Sequence, residues 1–238
     1  MSLNFQELDY QQTRLGELIL RRRRILSLDG QEVYEIKLGD SFLMSSLFHE
    51  VEVALATLGL AGLDGPLDVA VGGLGLGYTA RAALANPDVR SLVVIDTLQE
   101  VIDWHRRGLV PLGAELTGDP RCRFLHGDFF ALASSEALDP ENPGARFHAV
   151  LLDIDHSPKN LLHEQHADFY KPEGLTRLAA HLHPGGVFAL WSDDPPEDEF
   201  LAALETVFDS TSSHIVTFHN PLLQRDSAST VYVARKRS

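Results

Sequence analysis

From Pro66 onward the chain alternates between short, nearly continuous apolar runs and amphipathic segments, and this alternation restricts the fold more than any other feature. Residues 67–71, 91–95, 122–126, 147–152 and 186–191 read as strands that are apolar on both faces. Helical segments are predicted between them, near 78–85, over 99–107, around 162–182 and over 197–208. Strands buried on both faces and separated by helices require a parallel sheet with covers on either side. The last two runs, 214–218 and 230–234, leave no room for a helix between them and predict an antiparallel hairpin. The expected fold is therefore α/β. It is a Rossmann-like, doubly wound, mostly parallel seven-stranded sheet with an antiparallel C-terminal edge hairpin and a small N-terminal β extension.

The extension is assigned to residues 1–46 and the main domain to 47–238. Within the extension, 16–28 and 31–38 flank Asp29-Gly30, a hairpin-turn signal. The run Arg21-Arg22-Arg23-Arg24 reads as the exposed end of a strand or a subunit contact. Leu47, Phe48, Val51, Ala54, Leu55 and Leu58 fall at helical spacing and predict a helix over 47–59. The Pro- and Asp-rich stretch 139–146 reads as a surface loop.

Composition excludes several classes of function. The formal net charge is −14, whereas duplex binding needs a basic surface, so no nucleic-acid partner is expected. An acidic cleft would instead attract a cationic substrate. The single cysteine, Cys122, cannot form an internal disulfide and reads as a packed strand residue. The first residues lack the basic-then-apolar layout of a secretion signal, and no apolar run is long enough to span a bilayer. A cytoplasmic protein with no membrane partner is expected.

The strand at 67–71 runs directly into Gly72-Gly73-Leu74-Gly75-Leu76-Gly77. In open parallel sheets ligands bind beyond the carboxyl ends of the strands, and glycine lets a ligand approach the backbone closely. The spacing Gly73-x-Gly75-x-Gly77 is closer to turns that bind S-adenosylmethionine (AdoMet) than to the G-x-G-x-x-G dinucleotide fingerprint. The second strand ends at Asp96, 23 residues after Gly73. There an acid either accepts hydrogen bonds from ribose hydroxyls or caps the next helix. After the third strand, Asp128 can receive an adenine amino group with Phe129 or Phe130 beside the ring, or simply close a turn. Nicotinamide is the rival ligand, but nothing nearby resembles a hydride-transfer constellation.

Strand four runs into Asp153-Ile154-Asp155-His156. Carboxylates at the mouth of a parallel sheet are costly unless paired or used. Asp153 could deprotonate an attacking ammonium, and Asp155 could hold a cationic substrate. Asp193-Asp194, after strand five, either lines an acceptor pocket or starts the next helix; Asp194 is taken as a substrate contact. His156, His163 and His166 supply no set of three or four ligands, so no metal is expected and they read as surface histidines on a helix.

Across nearly its whole length the chain resembles the spermidine synthase (polyamine aminopropyltransferase) family, built on the class I AdoMet-methyltransferase fold. Leu43 to Glu50 resembles the family segment ending Tyr-His-Glu, which marks His49 and Glu50 as substrate contacts. Asn86-Pro87-Asp88-Val89, Asp119-Pro120-Arg121, Gly127-Asp128, Phe169-Tyr170 and the 182–186 region match further family motifs. Asp153 matches the family's general base. The resemblance implies a transferase of polyamine biosynthesis, with AdoMet or decarboxylated AdoMet at Gly72, Gly73, Gly75, Gly77, Asp96, Asp128 and Phe129. It also implies an amine acceptor and a homodimer. Four features depart from the pattern. Leu76 stands where the glycine turn normally carries an aspartate, and Phe48 where a tyrosine is usual. The loop at 153–158 is one residue longer, and His219-Asn220-Pro221 replaces a Tyr-Pro segment. Leu76 supports one alternative, an AdoMet-dependent methyltransferase of unknown acceptor; a third reading is a non-catalytic AdoMet- or nucleoside-binding module.

Overall fold

The computed structural model describes residues 4–237. It has two sheets. An antiparallel sheet of four strands in sequential order is formed by β1 (Phe5–Thr13), β2 (Gly16–Ile25), β3 (Gln31–Leu38) and β4 (Ser41–Ser45). The β2–β3 connection is longer than the expected Asp29-Gly30 turn: Ile25 pairs with Gln31, residues 26–28 form a 3-10 turn, and Asp29 and Gly30 both take positive φ. The four arginines lie within β2, which ends at Ile25; Arg21 and Arg23 share one face, and Arg24 is exposed. Arg21 and Arg23 clasp Glu35 of β3 at 2.6 and 2.7 Å, and Arg22 pairs with Glu32 at 3.5 Å. Glu35 is only 1% exposed, so the two guanidiniums supply the partners that a buried carboxylate needs.

The second sheet contains β5 (Leu67–Gly72), β6 (Val89–Asp96), β7 (Cys122–His126), β8 (Phe147–Leu152), β9 (Leu182–Ser192), β10 (Ser210–Asn220) and β11 (Arg225–Arg235). Its order is β10-β11-β9-β8-β5-β6-β7. The strands from β7 to β9 are mutually parallel; β11 pairs antiparallel to β9, and β10 antiparallel to β11. Strand order reverses at β5, whose neighbours are β6 and β8, and this places the switch-point crevice at the end of β5.

Helices α1 (Glu50–Leu60), α2 (Tyr78–Leu84), α3 (Gln99–Arg106), α4 (Gly113–Gly118), α5 (Phe129–Ala133), α6 (Pro172–Ala180) and α7 (Asp198–Val207) connect and cover the strands. The predicted helix around 162–182 is broken. Residues 164–168 form a 3-10 turn, and α6 starts only at Pro172, whose fixed φ suits a first helical position. Two apolar clusters lie on opposite faces of the large sheet, and one of them includes Leu18, Leu20 and Ile36 of the small sheet. The two sheets therefore share a core. Asp9 adds a polar tie, accepting from Trp104 Nε1 at 2.7 Å and Arg107 at 3.1 Å. Cys122 packs in β7, and burial pushes its thiol up to about 12. Among the described residues no helix is long and apolar enough to cross a membrane.

Candidate functional site

After β5 the backbone passes through Gly73, Gly75 and Gly77 with φ of 94°, 47° and 93°. A Cβ at Gly73 would collide with the Asp153 carbonyl oxygen, and one at Gly75 with the Met44 sulfur. Two side chains lock this turn. Asp96 accepts from the Leu74 amide at 2.9 Å with one oxygen and from the Leu98 amide at 2.8 Å with the other. Burial raises its pKa, and the amides of Leu98, Leu74 and Gly75 partly offset that. His105 sits beneath the turn, where burial pushes its pKa down to about 4. The ring is thus neutral near pH 7, and Nε2–H donates to the Gly75 carbonyl at 2.9 Å.

Asp128 caps α5, its Oδ1 accepting from the amides of Phe130 at 3.0 Å and Ala131 at 3.2 Å. Phe129 is 2% exposed and packs under Gly72, so it supports the turn from below while its edge reaches the cavity. Phe130 stacks on His166 at 3.8 Å.

The glycine turn opens into a cavity of about 900 Å³, a size that suits a nucleoside plus a small acceptor. Gly73, Gly75, Asp96, Asp128, Asp153 and His49 all reach it. Gly72 and Gly77 do not; they shape the backbone on either side. The small sheet supplies one wall through Met44 and the β1–β2 turn at Arg14 and Leu15, with Arg14 donating to Thr97 Oγ1 at 2.9 Å. Aromatic side chains form much of the rest, among them Phe48 and Phe218 at 5.4 Å from each other, Tyr78 and Trp191.

Asp153 follows β8 directly and lies against Gly73. Its Oδ2 accepts from Thr79 Oγ1 at 2.7 Å. Burial raises its pKa to about 6 against the pull of that hydrogen bond. Near it lies Glu52, in the first turn of α1, where burial and then the Asp153 charge push the pKa up to about 8. Glu52 escaped the sequence reading. Its signal was an acid at position i of a stripe whose i+3, i+4 and i+7 members, Leu55, Ala56 and Gly59, are buried.

Three of the residues singled out from sequence are placed elsewhere. Glu50 is exposed and accepts from the His49 amide at 3.0 Å, because the helical turn that brings Glu52 to the cavity swings Glu50 outward. Asp155 is 1% exposed and faces inward, accepting from Leu162 N at 2.8 Å, His166 Nδ1 at 2.9 Å and Tyr170 Oη at 2.8 Å. It organises the loop that follows β8, and no valence is left for a substrate. Asp194 is turned away by the bend after β9, while its neighbour Asp193 lines the cavity and accepts from Ser229 Oγ at 3.2 Å. His166 is a partly buried member of the Asp155 network rather than a solvated helix residue.

A second cavity, of about 870 Å³, opens at the amino ends of the strands. Asp68, His148 and His183 bring ligand-type atoms there within 4.8 Å of one another. Two of the three residues are already engaged. The Asp68 carboxylate is held by Arg90 and Ser91, and His148 Nδ1 accepts from the Asp68 amide at 3.0 Å. The chemistry therefore concentrates at the glycine turn.

No family model matches the chain. Over 204 residues it is 30% identical to polyamine aminopropyltransferase 2 of Pseudomonas aeruginosa, which covers 82% of the chain and 52% of that protein. Over 122 residues it is 25% identical to the polyamine aminopropyltransferase of Pyrobaculum islandicum, covering 51% of the chain and 40% of that protein. The chain thus spans about half the length of the curated relatives it matches. Among solved structures, spermidine synthase from Thermotoga maritima superposes with a TM-score of 0.73 at 16% identity, over 97% of this chain and 72% of that one. A probable spermidine synthase from Corynebacterium glutamicum gives 0.64 at 15% identity, over 97% and 79%. At such identities these likenesses speak to the fold.

Proposed function

The chain belongs to the spermidine synthase (polyamine aminopropyltransferase) family, and from that premise we propose that it transfers an alkyl group from a sulfonium nucleoside to an amine. The donor, decarboxylated AdoMet or AdoMet, lies along the glycine turn. Asp96 receives the ribose hydroxyls through lone pairs that the Leu74 and Leu98 amides leave open. Asp128 faces the adenine. No metal takes part.

The observation that carries this reading is Asp153, a desolvated carboxylate with a pKa near 6, fixed by Thr79 and pressed against the turn. A base poised near neutrality suits proton removal from an ammonium. Asp153 takes that proton, and the freed nitrogen lone pair attacks the carbon next to the sulfonium. The carbon–sulfur bond breaks, and its electrons neutralise the sulfur as a thioether. A homodimer and a cytoplasmic location belong to the same proposal.

One observation favours a second reading, methyl transfer from ordinary AdoMet. Leu76 is fully buried in the core, so the turn itself presents no carboxylate to a donor amine. Calorimetry with both donors separates the two, and a clear preference for AdoMet sinks aminopropyl transfer. Replacing Asp153→Asn should lower turnover of short linear diamines by roughly 10²–10⁴-fold with donor affinity retained. Unchanged turnover would remove Asp153 as the base, and absence of turnover in both proteins would favour a non-catalytic binding module.

A further inference from the structure

The cavity holds one more carboxylate than the proposed reaction uses. Glu52 faces the same space as Asp153, and the two feel each other's charge. Among the described residues no lysine, arginine or histidine pairs with either side chain. The one hydrogen bond to Glu52 comes from its own amide, and Asp153 is bonded only by Thr79. Two such groups resist ionising together near neutral pH unless a cation lies between them. His49 Nδ1, on the same wall, is buried with no partner, its ring stacked on Tyr78 at 4.5 Å.

The surroundings select the kind of cation. A divalent metal needs a closed shell of hard ligands or ordered water, whereas Tyr78 lies close enough to feel the Glu52 charge, and Phe48 and Trp191 line the same cavity. Aromatic faces attract organic cations. A primary ammonium has three N–H donors, and the two carboxylate oxygens of Glu52 with His49 Nδ1 offer three acceptors.

We propose that Glu52 and His49 Nδ1 form a subsite for the donor's primary ammonium beside Asp153, which is left to the acceptor, and that Glu52 makes the protein select a sulfonium donor ending in an amine without a carboxylate. The inference rests on the nucleoside reading of the glycine turn. An arriving ammonium favours the ionised form of Glu52, so Glu52 attracts the amine that both donors carry and disfavours the carboxylate that ordinary AdoMet alone adds. The choice of donor is thereby moved from the glycine turn to the first turn of α1.

The test is calorimetry on the wild-type chain and on Glu52→Gln, with decarboxylated AdoMet, AdoMet and methylthioadenosine, which keeps the nucleoside and lacks the amine-bearing arm. The expected result is a roughly 10–100-fold loss of affinity for decarboxylated AdoMet in Glu52→Gln. Methylthioadenosine should bind both proteins equally, which also reports that the variant is folded. Glu52→Asp, which keeps the charge, should retain part of the preference. Decarboxylated AdoMet binding within twofold in the two proteins, with methylthioadenosine still bound, overturns the inference and leaves the nucleoside reading standing. A loss confined to the KM of a diamine acceptor overturns the donor assignment and gives the ammonium to the acceptor. If methylthioadenosine binds neither protein, the nucleoside reading falls and takes this inference with it.

Discussion

Glu52 and Asp153 keep their protons to higher pH in the folded chain than in the unfolded one, because burial disfavours their charged forms. Their ordinary values are 4.5 and 3.8, and folding moves them to about 8 and about 6. Between those limits the folded state binds more protons than the unfolded state, so stability falls as pH rises and levels off above about 8. His105 acts in the opposite sense below its ordinary value of 6.5, since its folded pKa is about 4. Glu50, Tyr78 and Arg81 also face this corner, and a comparison with Glu52→Gln cancels their contributions along with that of His105. Thermal midpoints measured from about pH 5 to about pH 9 should decline more steeply for the wild type than for Glu52→Gln. Parallel profiles would mean that Glu52 holds no extra proton. None of this was legible from residue types. Asp153 could be singled out as a base because it directly follows a strand, and Asp155 two residues later was read as an acid that holds a cationic substrate. Only the fold shows one carboxylate facing the cavity and the other saturated by Leu162, His166 and Tyr170.

The element that carries the site is the turn between β5 and α2, and its glycines are needed for distinct reasons. At Gly73 both the positive φ and the adjoining Asp153 carbonyl exclude a side chain. Gly73→Ala should cost at least about 1–3 kcal/mol through the backbone alone and abolish nucleoside binding, as denaturant titration and calorimetry would show. Wild-type stability and affinity in that variant would mean the turn is not strained as described. A strand buried on both faces, such as β8, was legible to the residue because its apolar run is bounded by polar breaks. Elements with weaker signatures were not. β1, a mostly polar edge strand, has no apolar run, and α4 and α5 are too short to show a helical period. The closing hairpin is longer than its apolar segments, since alternate residues of β10 face water and hide its length.

At the scale of the whole molecule, the small sheet is built into the cavity wall, so the residues assigned to an N-terminal extension contribute to the site as well as to the surface. The small sheet and its β2–β3 connection leave Phe5, Tyr10 and Leu26 between 44% and 70% exposed. If that surface is the subunit contact of the proposed homodimer, light scattering should return twice the chain mass; a monomer at micromolar concentration would overturn it. The sequence by itself determined the doubly wound order, the place of the glycine turn and the acids that end β6, β7 and β8. These follow from periodicity and from the rule that binding residues gather at the carboxyl ends of parallel strands. The tertiary structure alone decided which acids meet. Whether Glu50 or Glu52, and Asp153 or Asp155, faces the cavity depends on how α1 and the loop after β8 pack against the sheet, and no local pattern encodes that packing.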